Sequence, residues 1–242
     1  MILLFATCRS ISFFFASFTY FFIKIGLIKT PGYVIKYPDK KFKFLHCIWY
    51  ARITRRLVSF LSRTPVKKDV LKMIYFNIPV PENTGCIIAT CHSPWKRILS
   101  YWCFEKKFGL IVGGGKWFGR RQFIQTKGGG ITELRKLIKH LMQGGRVITN
   151  VDFFKDYFNS QVKFLNNDYK VSLFTERLAK LSKVPVITLI PKLRNSTIEF
   201  TAGPQFSENE SESKSTSITS RIIAFFESQI EVNPSIWSYY VR

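Results

Sequence analysis

Acidic residues are scarce in this chain. Asp and Glu number 15 against 37 Lys and Arg, giving a formal net charge of +22. An excess of that size favours an anionic partner: nucleic acid, acidic lipid headgroups or an acidic carrier protein. The basic residues are spread along the chain with no long run, which argues against a disordered nucleic-acid arm. No recognised nucleic-acid module accompanies them, so no nucleic-acid partner is expected. The few acids also lack the paired-carboxylate pattern of a hydrolase.

Cysteine is sparse and irregularly placed. Cys8, Cys47, Cys86, Cys91 and Cys103 form an odd set without a C-x-x-C pair, which points to neither a disulfide framework nor a zinc site. Most of them read as small core residues, in a reducing, cytoplasmic setting. No cluster of His, Cys and Asp has metal-ligand spacing, so no metal is expected. A G-x-S-x-G elbow is missing, which argues against an α/β-hydrolase. Gly113-Gly114-Gly115-Lys116 lacks the spacing and the Ser or Thr of a nucleotide P-loop. Its amides, beside Lys116, Arg120 and Arg121, could hold a phosphate or phosphopantetheine group; the alternative is a turn with solvated bases. Lys127, ahead of three glycines, carries the same two readings.

Apolar residues, by contrast, are plentiful at 46 %, and Phe alone contributes 24 of the 242 residues. Phe is concentrated near the N-terminus. Residues 1–28 are interrupted only by Arg9 and Lys24, and the charge-free run 10–23 is 14 residues long. A full bilayer crossing needs roughly 20 apolar residues, a length reached only if Lys24 snorkels. The segment reads as a membrane anchor, spanning or interfacial; a core helix is the plainer alternative. A cleavable signal peptide fits poorly, because the basic start and small-x-small site are missing. Lys24, Lys29, Lys36, Lys40, Lys41 and Lys43 at its end suit the cytoplasmic face of an anionic membrane.

Three regions follow: an apolar helix over residues 1–30, a basic amphipathic helical region over 31–84, and an α/β domain over 85–242. Within the second, residues 50–61 and 70–76 read as helices. In the third, strands are expected at 86–90, 110–112, 123–125, 147–151, 184–190 and 197–201. Helices are expected at 94–107, 131–142, 173–182 and 218–230. In the clearest helix, Ile131, Leu134, Leu137, Ile138 and Leu141 make one face, and Gly144-Gly145 ends it. The alternation predicts a mostly parallel central sheet flanked by helices.

The chain has three histidines. His46 and His140 sit where structural or solvated roles are the simpler reading. His92 follows a buried strand and precedes a helix opening on Pro94. The carboxyl ends of parallel strands are where α/β sites form, so His92 is the candidate general base. The plain alternative is a capping or core histidine.

Ala89-Thr90-Cys91-His92-Ser93-Pro94-Trp95 resembles the first block of the lysophospholipid acyltransferase superfamily, and within it the bacterial late lipid A acyltransferases of lauroyl and myristoyl type. Gln125-Thr126-Lys127-Gly128-Gly129-Gly130 is similar to the family's basic-Gly-Gly segment. Gly145-Arg146-Val147-Ile148-Thr149-Asn150-Val151-Asp152 is similar to its next strand and acidic turn. Val162-Lys163-Phe164-Leu165, Arg177-Leu178-Ala179, Val184-Pro185-Val186-Ile187 and Asn233-Pro234-Ser235-Ile236-Trp237 resemble later blocks. Together they run over residues 84–242 in order.

The resemblance implies a glycerolphosphate acyltransferase-like fold and acyl transfer from a thioester, on acyl carrier protein or coenzyme A, to a lipid hydroxyl or amine. It implies lipid A-type lipid biosynthesis at the cytoplasmic face of the inner membrane. No cofactor is expected beyond the acyl-thioester co-substrate, and a monomer is expected. His92 would act as base; Trp95, Arg97, Lys116, Arg120, Arg121 and Lys127 would bind substrate. The family places an acid five residues after the histidine, and here Arg97 stands there. A cation cannot stabilise imidazolium. Another acid could reach His92: Asp152 at a later strand end, or Glu105 about three turns along the next helix. Otherwise His92 acts alone, or the protein binds lipid or carrier without catalysis.

Overall fold

The computed structural model describes residues 2–27, 41–61, 74–77, 84–93, 99, 109–112, 123–124, 131–152, 160–165, 167–194, 197–207, 216–233 and 236–237. Its elements, in chain order, are α1 (Ile2–Lys24), α2 (Lys41–Leu61), β1 (Ile74–Asn77), β2 (Cys86–Thr90), β3 (Gly109–Val112), β4 (Phe123–Ile124), α3 (Ile131–Met142), β5 (Arg146–Asn150), β6 (Ser160–Phe164), β7 (Asn167–Val171), α4 (Phe174–Ser182), β8 (Val186–Arg194), β9 (Thr197–Phe206) and α5 (Ile218–Val232).

Seven strands form one sheet in the order β1-β9-β8-β2-β5-β3-β4. Neighbours pair in parallel except β8 and β9, which are antiparallel. The sheet is therefore mainly parallel, as its strand–helix alternation predicts. β2 lies at its centre, and all five of its residues are buried. A strand covered on both faces can be apolar throughout, which is how Cys86-Ile87-Ile88-Ala89-Thr90 reads. Ile87, Ala89 and Val147 share a buried cluster with Leu137, Leu141, Leu178, Ile222 and Phe226 from α3, α4 and α5. Most of the helix expected over residues 94–107 lies outside the described residues; Leu99 is helical and buried.

Several expectations need correction or extension: the helix expected over 50–61 starts at Lys41, and the strand expected over 184–190 runs from Val186 to Arg194. Residues 74–77, expected to lie largely in a helix, form strand β1 parallel to β9. Phe76 stacks on Phe200 there, with ring centroids 5.0 Å apart. Pairing against an existing strand outweighs a short helical pattern. Ile131 is 70 % exposed rather than part of the packed face of α3, because the docked stripe starts one turn later at Leu134. The strand expected over 197–201 continues to Phe206. Gly203 permits this: a Cβ there would lie 2.5 Å from the Phe225 ring and 2.6 Å from Thr188 Oγ1. Finally, β6 and β7 form a separate antiparallel hairpin that periodicity did not reveal.

The N-terminal helices pack on each other. Trp49 Nε1 donates to Thr19 Oγ1 at 2.9 Å, and Phe15 stacks on Trp49 with centroids 4.9 Å apart. The buried side of α1 is small: Cys8, Ser12 and Ala16, followed by Ile23.

Candidate functional site

The register of β2 against β5 builds the site. Thr90 is opposite Asn150, and the ladder runs one bond further, from Val151 N to Thr90 O at 3.1 Å. The chains then leave the sheet together at their carboxyl ends. Two residues past the Thr90–Asn150 pair, His92 and Asp152 emerge side by side although 60 positions separate them in sequence.

His92 Nδ1 lies 2.7 Å from Asp152 Oδ1. The His92 backbone N–H is shared between both carboxylate oxygens, at 3.0 Å to Oδ1 and 2.8 Å to Oδ2. Trp237 Nε1 donates to Oδ2 at 2.7 Å. Asp152 is 4 % exposed, whereas the His92 side chain is 18 % exposed. Burial by itself raises the Asp152 carboxyl. The charge of His92, its two kinds of hydrogen bond and the indole of Trp237 outweigh burial and hold the group below the usual aspartate range. The carboxylate is thus a buried anion supplied with donors, and it fixes the plane of the imidazole. A carboxylate on Nδ1 holds that nitrogen protonated in the neutral ring, which places the basic lone pair on Nε2.

Surrounding elements hold this pair in place. Thr175 Oγ1 at the start of α4 donates to Thr149 Oγ1 on β5 at 3.0 Å. The Cys91 thiol is fully buried and donates weakly to Ile236 O at 3.7 Å. Phe164, at the end of β6, meets the Trp237 ring edge-on with centroids 5.1 Å apart. Leu165, in the left-handed region at φ 49°, donates its N–H to Glu227 Oε1 of α5 at 2.8 Å. The hairpin, α5 and residues 236–237 therefore converge behind Asp152.

Of the residues expected from sequence, the structure brings His92 and Asp152 together. Trp95, Arg97, Lys116, Arg120, Arg121 and Lys127, and the alternative acid Glu105, lie outside the described residues. The other histidines sit elsewhere. His46 packs edge-on to Phe13, and its Nε2 is 3.4 Å from Arg9 O. His140 lies under Gly145, where a Cβ would fall 2.3 Å from its ring. Among the described residues no group of three His, Cys, Asp or Glu side chains could hold a metal ion. Sequence reasoning gave Trp237 no role. Its only signal was its place in the last resembling segment, because the contact with Asp152 spans 85 positions.

No family model matches the chain, and no curated protein matches it.

Proposed function

We infer that this protein is a membrane-associated acyltransferase that uses His92 and Asp152 as a base–carboxylate pair. The observation that carries the reading is the 2.7 Å contact between His92 Nδ1 and the buried Asp152 carboxylate at the strand ends. The ordered resemblance over residues 84–242 supplies the reaction class. Neutral His92 takes the proton of a lipid hydroxyl or amine through Nε2 as that group attacks the thioester carbonyl. Asp152 stabilises the imidazolium that results. The tetrahedral intermediate collapses, the C–S bond breaks, and the imidazolium returns the proton to the departing thiolate. The acid missing at position 97 is then replaced by Asp152, two residues past the end of β5, which favours this reading over a lipid-binding protein without catalysis.

The N-terminus supports attachment to a bilayer. Ile11, Phe14, Phe18 and Phe21 fall on one side of α1 and all are exposed, while Cys8, Ser12 and Ala16 are buried. Large apolar groups outside and small ones inside invert the soluble pattern. The hydroxyls of Ser10, Ser12, Ser17 and Thr19 each bond a carbonyl one turn back, so none needs water. The stretch Ala6–Lys24 is long and apolar enough to cross a membrane. However, α1 packs along α2, which carries Lys41, Lys43, Arg52 and Arg56. Those charges belong at headgroup level, which favours attachment in the interface plane over a span.

The test is transfer of labelled acyl groups from acyl carrier protein or coenzyme A to lysolipid and glycolipid acceptors. Wild-type protein should form labelled lipid, and His92→Ala should abolish it. Undiminished transfer by His92→Ala would exclude the mechanism.

A further inference from the structure

The proposed chemistry asks for an imidazole in one tautomer, and that requires a carboxylate that cannot turn. Asp152 Oδ1 faces His92 Nδ1, the His92 amide is shared between both oxygens, and Oδ2 takes the indole N–H of Trp237. The amide bond swings with the same backbone that carries the imidazole, so it cannot orient the carboxylate independently. The indole can, because it comes from a different part of the chain. Trp237 is itself buried, and an indole nitrogen can only donate, so the Oδ2 that it meets must carry no proton.

Trp237 is in turn fixed from two sides. Phe164 of the β6–β7 hairpin meets its ring nearly perpendicular, at 89°. The preceding residue, Ile236, is buried and accepts from Cys91, the residue next to His92. Its N–H also donates at 3.3 Å to the carbonyl of Asn233, the residue that caps α5. The indole on Asp152 is thus tied to Cys91 beside His92 and to the hairpin. A packing role alone would not require the nitrogen to lie on the carboxylate.

We propose that Trp237 is a positioning residue: its indole N–H locks the Asp152 carboxylate so that Oδ1 holds His92 in the Nδ1-protonated tautomer. The C-terminal segment thereby completes a three-residue relay, His92–Asp152–Trp237. This extends the acyl-transfer reading, yet its test does not depend on that reading.

The experiment compares full-length wild-type protein with Trp237→Phe and with benzothienylalanine installed at position 237. The latter keeps the indole's shape and replaces the N–H by sulfur. Each protein is labelled with ¹⁵N-histidine, and the His92 signals are assigned by their loss in His92→Ala. Wild type should show neutral His92 in a single Nδ1-protonated tautomer. Both replacements should show a mixture of tautomers and faster exchange of the Nδ1 proton with water. Acyl transfer should fall about tenfold in kcat with little change in KM, the loss expected for one hydrogen bond to a charged group. If the benzothienyl protein keeps the wild-type tautomer, the indole serves packing and the proposal is overturned. If wild type transfers no acyl group but the tautomer shifts as stated, the relay stands and the assigned reaction fails. Should Trp237→Phe fail to fold, the isosteric replacement still decides.

Discussion

His92 and Asp152 are 60 residues apart in the chain and 2.7 Å apart at Nδ1 and Oδ1. The distance follows from two neighbouring parallel strands that end in register. A carboxylate placed in this way leaves position 97 without an obligatory acid.

Asp152→Asn tests the charge while keeping the shape. The imidazole loses its anionic partner, and transfer should fall on the order of a thousandfold or more. The substitution also turns an amide N–H₂ toward donors, because His92 N and Trp237 Nε1 both need an acceptor. A stability loss of about 2 kcal/mol is expected in urea unfolding. A variant as active as wild type would leave Asp152 outside the chemistry.

Acid should weaken the fold through two carboxylates. Asp152 is held below its ordinary range despite burial, by the charge of His92 and by hydrogen bonds. Glu176 is likewise lowered: burial raises it, but the Thr219 amide and Lys180 outweigh burial. Each group is more acidic folded than unfolded. Their contribution is therefore fully present above the unfolded values, roughly pH 4, and is lost as pH falls through the folded values. Melting temperature should be flat between neutral pH and about pH 5 and then drop. The double variant Asp152→Asn, Glu176→Gln should start lower and drop less steeply. Equal slopes would contradict the assignment.

Glu176 also caps α5. Its Oε2 accepts from Thr219 N at 3.1 Å, and Ser217 Oγ accepts from Ser220 N at 3.2 Å. Glu176→Ala should cost about 1 kcal/mol and Ser217→Ala a similar amount, measured by denaturant midpoint. A carboxylate at a helix start is favoured by the dipole as well as by the bond.

Gly85 precedes β2 against the end of α3. A Cβ there would sit 1.9 Å from Leu141 O, and backbone at a helix end cannot give way cheaply. Gly85→Ala should destabilise the protein by about 3 kcal/mol, seen as a shift in the urea midpoint. A shift near zero would mean that α3 moves aside more easily than its packing indicates.

The exposed side of α1 predicts how the protein meets lipid. Replacing Phe14, Phe18 and Phe21 together by Glu should lower binding to phosphatidylglycerol vesicles by more than tenfold in a sedimentation assay. Wild type should bind neutral phosphatidylcholine vesicles more weakly, and only its binding to anionic vesicles should weaken with salt. Unaltered binding by the triple variant would place the contact elsewhere.

Much was legible in the chain itself. The apolar N-terminus, the α/β alternation, the amphipathic faces of α3 and α5, and His92 at a strand end all rest on periodicity and local turn chemistry. Those signals are written in neighbouring residues, so they survive without the fold. β1 was misread because a four-residue strand is decided by what it pairs with, here β9. The hairpin was missed because its two strands carry mostly polar residues, with exposed Gln161, Lys163, Asp168 and Lys170. Asp152 could be named from sequence as one of two acids able to reach His92, the other being Glu105. Only the register of β2 on β5 made it the partner. Trp237 belonged wholly to the tertiary structure. No local pattern can say that an indole near the chain's end meets a carboxylate 85 positions earlier, because that contact exists only after the sheet, the hairpin and α5 have packed.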